Sequence, residues 1–228
     1  MAEIKKAVVV LSGGMDSATA LYQAKADGNE VYAVSFNYGQ KHKKELDFAR
    51  QLAEKAGVKE HKVVDLTDIN QLVSHSALTG KDIAVPDGHY TAESMKITVV
   101  PNRNMIMYAV ALGYAVNLEA DAMYVGIHSG DHAIYPDCRP DFITGLQALA
   151  LVANEGFIKP DFEIKAPFVN ISKAEIAAKG NKLGVPYELT WSCYKGGDKH
   201  CGTCGTCVER VEAFQLASVI DPTVYESS

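Results

Sequence analysis

Two stretches of the chain hold residues whose types and spacing imply chemistry. The first is AVVVLSGGMDSATALYQA, residues 7–24, where Ser12, Gly13 and Gly14 separate an apolar β-branched run from a small-residue helical pattern. A strand that turns straight into a helix through glycines presents successive backbone N–H groups, with no Cβ in the way, at the positive end of the helix. Such a turn is an anion cradle. The ATPase signature with its Lys-Ser/Thr pair is absent, and so is the spaced triple glycine of dinucleotide binders, so neither standard phosphate loop applies. Ser12 and Ser17 add hydroxyl donors, whereas Asp16 would repel a phosphate unless it caps the helix or meets a bound Mg2+. The plainer alternative is an ordinary tight turn at Gly13-Gly14.

The second stretch is CYKGGDKHCGTCGTC, with Cys193, Cys201, Cys204 and Cys207 separated by seven, two and two residues. Two Cys-x-x-Cys steps sharing Cys204, plus one thiolate across a Gly-rich turn, can close a tetrahedron around Zn2+. Four thiolates leave no open coordination position, so the site reads as structural, and it can contribute on the order of 10 kcal/mol to local folding. An iron–sulfur cluster is the rival. His200, inside the motif, reads as a solvated neighbour rather than a ligand. Cys138 stands apart and reads as a buried or loop thiol, because a glutamine-cleaving nucleophile needs a paired base and an oxyanion site. His128 and His132 are equally readable as proton shuttles or as solvated loop residues.

The elements around these motifs alternate between apolar β-branched runs and helical periodicity, the pattern of βαβ units around a parallel sheet. KAVVVLS, EVYAVSFNY, EHKVVDL and DAMYVGI read as strands. Ala18, Leu21 and Tyr22 begin one helix, and Leu46, Ala49, Leu52, Ala53 and Ala56 draw the stripe of a second that stops at Gly57. Further helices are expected from Asn102 to Asn117, from Asp141 to Asn154 and, opening with NISKAEI, from Ile171 to Gly184. From Thr67 to Thr98 the periodicity fails, which marks a functional loop or an excursion over the site. The expected fold is α/β, a doubly wound, mostly parallel sheet. Residues 1–189 form its domain, and residues 190–228 form a zinc-binding segment packed on it.

Composition narrows the classes. A chain of 228 residues with 47% hydrophobic content can bury a full core. Its net charge of −6 argues against coating a nucleic-acid duplex. No apolar run approaches a membrane span or a signal-peptide core, and crowded cysteines suit a reducing compartment, so a cytoplasmic protein with neither nucleic-acid nor membrane partners is expected.

SGGMDS, directly after the first strand, resembles the SGGxDS pyrophosphate loop of the ATP pyrophosphatases. Together with FNYGQKH (36–42), VPNRN (100–104), YPDCRPDF (135–142) and the four cysteines, it makes the chain similar over nearly its whole length to the 7-cyano-7-deazaguanine synthases of queuosine precursor synthesis. Asn37 and Asn102 stand where that family frequently has aspartate and glycine, and HSGDHAI departs from its more familiar forms.

The resemblance implies an adenine nucleotide alpha hydrolase-like fold, a homodimer, and a reaction that uses ATP, Mg2+ and ammonia on 7-carboxy-7-deazaguanine, with Zn2+ in the cysteine site. A tRNA-modifying pyrophosphatase of the thiolation or lysidine type is the alternative, and it would need a basic surface. By the same resemblance ATP is held by Leu11, Ser12, Gly13, Gly14, Met15, Asp16, Ser17, Ala18, Thr19, Ala20 and Leu21, with Ser35 and Phe36 against the adenine. Asp16, Arg103 and Lys173 are the expected catalytic groups, and Tyr38, Gln40, Asp131, Asp137 and Arg139 the expected substrate contacts.

Overall fold

The computed structural model describes residues 4–40, 44–71, 76, 78, 87–88, 98–131 and 135–226. Among the described residues, five strands form one sheet: β1 (Lys6–Val10), β2 (Glu30–Asn37), β3 (Glu60–Asp65), β4 (Ala122–Tyr124) and β5 (Glu163–Lys165). Their order is β3-β2-β1-β4-β5, and every pairing is parallel. Val9 sits at the centre of the register, opposite Ala33 on one side and Tyr124 on the other.

Alternation along β1 explains why both sheet faces are covered. Ala7 and Val9 join one core cluster with Leu21, Leu52 and Phe214, while Val8 joins the other with Met107, Met123 and Leu146. A strand buried on both faces must be apolar at every position, which is why KAVVV shows no polar alternation. The first cluster lies under α1 (Met15–Ala26), α2 (Lys44–Ala56), α5 (Lys173–Leu183) and α6 (Gly205–Leu216); the second lies under α3 (Arg103–Asn117) and α4 (Pro140–Ala153). The sheet is therefore doubly wound, as expected. Chain order reverses between β1 and β4, which opens a crevice at their carboxyl ends.

Local signals fix the helix ends. Leu46, Ala49, Leu52, Ala53 and Ala56 of α2 are all buried, and Gly57 follows at φ +65°. Ser172 caps α5 in a capping box: its hydroxyl accepts from the Glu175 N–H, and the Glu175 carboxylate accepts from the Ser172 N–H at 2.8 Å. Gly184 ends that helix in the left-handed region.

The structure departs from the sequence reading in three places. The strand expected over DAMYVGI is only Ala122–Tyr124, because the chain beyond it turns against α1. β5 and α6 were not anticipated: the first is three residues long, and the second starts inside the cysteine motif with Cys204 as its N-cap. Of the Thr67–Thr98 excursion, Thr67–Gln71 forms a 3-10 helix, and most of the rest lies outside the described residues. No described helix is long and apolar enough to cross a membrane.

Candidate active site

At the tip of β1 the loop is tied down from both sides. The Leu11 N–H donates to the Val34 carbonyl at 2.8 Å, and the Trp191 N–H donates to the Gly13 carbonyl at 2.9 Å. Gly13 has φ +94°, and a Cβ there would stand 2.2 Å from the Glu45 carbonyl oxygen of α2. Opposite, a Cβ on Gly126 would come within 2.9 Å of the Asp16 and Ser17 backbone, so the chain leaving β4 presses on the first turn of α1. Only glycine allows both approaches. The Ser12 and Ser17 hydroxyls lie 3.0 Å apart, and the Ser12 hydroxyl also accepts from the Gly14 N–H at 3.3 Å. No side chain caps α1 at Gly14, which leaves its first-turn amides facing the loop's hollow.

Asp16 stands at the edge of that hollow. Its Oδ2 lies 3.5 Å from Lys173 Nζ and 3.9 Å from His128 Nε2, while its Oδ1 is buried without a hydrogen-bond partner among the described residues. A buried carboxylate oxygen left bare is a ready ligand for a hard cation. His128 is buried, and its Nδ1 accepts from the Gly130 N–H at 3.1 Å, so in the neutral ring the proton sits on Nε2, facing Asp16. Lys173, the first residue of α5, is held at 2.7 Å by Glu209 Oε2 of α6.

A cleft of about 220 Å3 runs from this loop past Phe36 and Ile127 to Tyr38, Arg103 and Tyr194. Asn102 supplies the N-cap of α3 at φ 60°, a left-handed conformation that asparagine tolerates where most side chains do not. Next to it, the Arg103 guanidinium lies 5.8 Å from the Tyr38 ring centre. Burial pushes the Tyr38 hydroxyl up to about 12, with Arg103 pulling the other way. Burial also opposes the Arg103 charge, but Tyr38, Tyr194, Tyr135 and Asp137 outweigh it and hold the guanidinium protonated. Asp137 accepts from the Asn104 N–H at 3.3 Å, and Cys138 accepts from the Asn104 side-chain amide at 3.5 Å.

The structure gathers Leu11, Ser12, Gly14, Met15, Asp16, Ser17, Phe36, Tyr38, Arg103 and Lys173 around one cleft, with Gly13 just behind it. Other expected contacts are turned elsewhere. Ala18 and Leu21 pack in the core and Ala20 packs against Phe168 and Ile176, while the Thr19 hydroxyl donates to the Met15 carbonyl. Ser35 donates to the Leu11 carbonyl and pairs with His61 Nε2 at 2.7 Å. Gln40 is buried below the loop after β2, where it accepts from the Tyr38 N–H and donates to the Phe36 carbonyl and Glu45. Asp137 braces α3, and Arg139 is the exposed N-cap residue of α4. Asp131 closes the 3-10 turn Ser129–Asp131, and His132 lies outside the described residues. Glu209, Trp191 and Tyr194 were missed, since nothing in their spacing links them to the glycine loop.

The four cysteine sulfurs lie within 4.8 Å of one another, and Cys193, Cys204 and Cys207 are buried. Backbone N–H groups of Thr203 and Cys204 point at the Cys201 sulfur at 3.4 and 3.3 Å, and the Cys201 N–H points at the Cys193 sulfur at 3.5 Å. Hydrogen bonds with Cys193 and Cys207 hold the Cys204 thiol well down, and those with Cys193 and Cys204 push Cys207 up. Closely packed sulfurs in which one thiolate opposes the next, with amides aimed at them, fit a metal ion that neutralises the set. His200 is a correction: it is buried, not solvated, because the chain at Val224–Glu226 runs beside it and Trp191 covers its ring at 4.3 Å. It accepts from the Ser192 N–H through Nε2, and burial pushes it down to about 4.

These features define a class: parallel α/β proteins with a glycine turn at a β1/β4 switch point and four clustered cysteines able to hold a metal ion. More narrowly, residues 6–218 match the family model described as "Queuosine biosynthesis protein QueC", and the chain belongs to that family. The 7-cyano-7-deazaguanine synthase of Allorhizobium ampelinum is 54% identical over 221 residues, 97% of this chain and 92% of that one. The enzyme of the same name from Brucella anthropi is 52% identical over 223 residues, 98% of this chain and 94% of that one. A 7-cyano-7-deazaguanine synthase 2 from Colwellia psychrerythraea is 51% identical, covering 97% and 99%. Among solved structures, an NMN synthetase from Francisella tularensis has TM-score 0.47 and 18% identity, covering 85% of this chain and 68% of that one.

Proposed function

We propose that the chain is an ATP-dependent carbon–nitrogen ligase that converts 7-carboxy-7-deazaguanine and ammonia to 7-cyano-7-deazaguanine, releasing AMP and diphosphate. One observation carries this reading: the uncapped glycine turn with the bare Asp16 Oδ1 beside it, in a chain whose relatives bear the synthase name over nearly their whole lengths. A carboxylate is a poor electrophile because its charge is delocalised and oxide is a bad leaving group. Adenylation removes both faults.

The loop amides and the Ser12 and Ser17 hydroxyls grip the β,γ-diphosphate, and the Lys173 ammonium offsets its charge, which leaves the α-phosphorus open to attack along the cleft. Asp16 would hold Mg2+, which when bound supplies charge neutralisation on the phosphates. The substrate carboxylate oxygen bonds to the α-phosphorus as diphosphate leaves. Ammonia then adds to the acyl carbon, AMP departs and a proton is lost, giving the amide. The amide oxygen bonds to the α-phosphorus of a second ATP as diphosphate leaves and one N–H proton is lost, and departure of AMP with the last N–H proton forms the nitrile. At the far end of the cleft Arg103 and Tyr38 offer a cation and a ring face to a planar acid, and Met107, Ile127 and Cys138 give that end apolar walls.

Zn2+ in the cysteine site has a structural part, anchoring the segment that carries Trp191 to the loop. A reducing cytoplasm, which keeps four thiolates available, matches that site. We assign a homodimer to the molecule, formed through the exposed apolar face of α4. Incubation with ATP, Mg2+, ammonium and the carboxy-deazaguanine tests the reaction: mass spectrometry is expected to find the nitrile with two AMP for each one formed. ADP as the nucleotide product would overturn it.

A further inference from the structure

We propose that Glu209 is a positioning residue: its carboxylate, carried on a helix whose start is fixed by the cysteine cluster, holds the Lys173 ammonium at the mouth of the diphosphate loop. The inference rests on the proposed reaction for its purpose, but its evidence is geometric.

Lys173 is the first residue of α5, where the helix dipole is positive and a cation is unfavourable. Its ammonium is nevertheless largely buried, so something must compensate. Asp16, from the first turn of α1, lies 3.5 Å away, beyond ordinary hydrogen-bond range, whereas Glu209 lies at 2.7 Å in a charge-assisted hydrogen bond. Of these two carboxylates, Glu209 has the tighter hold on the ammonium. With Glu209 holding Lys173, Asp16 keeps one oxygen bare for a cation instead of collapsing into a closed ion pair.

What fixes Glu209 is the helix that carries it. Cys204 is the N-cap of α6 and Cys207 lies in its first turn, so two cluster sulfurs set where the helix starts and how it is rotated. Arg210, the next residue, is wholly buried and clamps the helix from its other side. It donates to Asp221 at 3.2 Å, to the Thr190 hydroxyl at 2.7 Å and to the Tyr187 carbonyl at 3.1 Å. Between a sulfur anchor and a guanidinium clamp, the helix backbone carries Glu209 to where its carboxylate meets Lys173. The C-terminal segment thus reaches the phosphate loop twice, through the Trp191 N–H to Gly13 and through Glu209 to Lys173.

Calorimetric titration of the metal-loaded protein with Mg2+–ATP tests the proposal. Glu209→Gln is expected to weaken nucleotide binding about tenfold, the scale of one charge-assisted hydrogen bond, and to raise KM for ATP with it. Metal content by elemental analysis and KM for the carboxy-deazaguanine should stay at the parent values. Glu209→Asp, shorter but still charged, should recover part of the loss, which a merely structural role would not predict. Parent-like ATP affinity in Glu209→Gln would overturn the proposal, and so would loss of metal from that variant, since the carboxylate would then be serving the cluster. A parent that binds Mg2+–ATP and makes no nitrile would sink the proposed reaction while leaving this coupling intact.

Discussion

Asp16 has two oxygens in different circumstances, one near Lys173 and His128 and one buried and bare. Replacing it with asparagine keeps the shape and removes the charge that a hard cation requires. Asp16→Asn is therefore expected to lower substrate-dependent diphosphate release by about 100-fold or more, within the range of losing a preorganised electrostatic group. Its thermal unfolding midpoint should stay close to the parent's. Arg103 makes a separate case, because its planar fork lies by the Tyr38 ring and a lysine would supply charge without that plane. For Arg103→Lys, KM for the acid should rise roughly tenfold in steady-state assays, with a smaller change in KM for ATP. Asp16, Lys173, Tyr38 and Arg103 do meet at one cleft, because each sits just after a strand end or in the first turn of a helix, positions that short motifs mark. Ser35 and Gln40 do not, because polar side chains at a strand end point wherever tertiary partners draw them: Ser35 to Leu11 and His61, Gln40 to Phe36 and Glu45.

At the scale of elements, the glycine turn works only because a strand end and two helices converge on it. Gly13 is constrained twice, by φ +94° and by the 2.2 Å approach that a Cβ would make to the Glu45 carbonyl. Gly13→Ala should cost about 1–3 kcal/mol in denaturant titration, from left-handed strain and overpacking, and should abolish detectable ATP binding as the turn shifts. In α6 the cap is a cysteine of the cluster, so a metal held there and the helix would depend on one another. Cys204→Ser should lose bound metal by elemental analysis and become susceptible to proteolysis between residues 190 and 204. The same elements mark the limit of the sequence reading. Central strands and α2 declare themselves through unbroken apolar runs or a regular stripe, whereas β5 owes its place to pairing with β4 and α6 owes its start to the cluster. Neither cause is a periodicity.

Across the whole molecule, one surface bears on the proposed homodimer. From Phe142 to Asn154 the chain carries no charged residue, yet in α4 only Leu146 and Ala150 are fully buried. Val152 and the nearby Phe157 keep 77% and 80% of their surface exposed, and Leu149 is exposed beside them. Separate exposed apolar side chains are ordinary, but Leu149 and Val152, three apart on one helix, stand beside each other on its surface. A two-fold contact would place α4 of one copy near α4 of the other, so each residue near the axis would meet its own counterpart. That symmetry sharpens the test. Val152→Glu would set two carboxylates close together in a desolvated contact, where like charges cost several kcal/mol. Light scattering should find the parent at twice the mass of its chain and Val152→Glu at one chain mass, with ATP affinity retained because Val152 does not line the cleft. A parent that scatters as a single chain, or a variant that stays paired, would remove α4 as the interface.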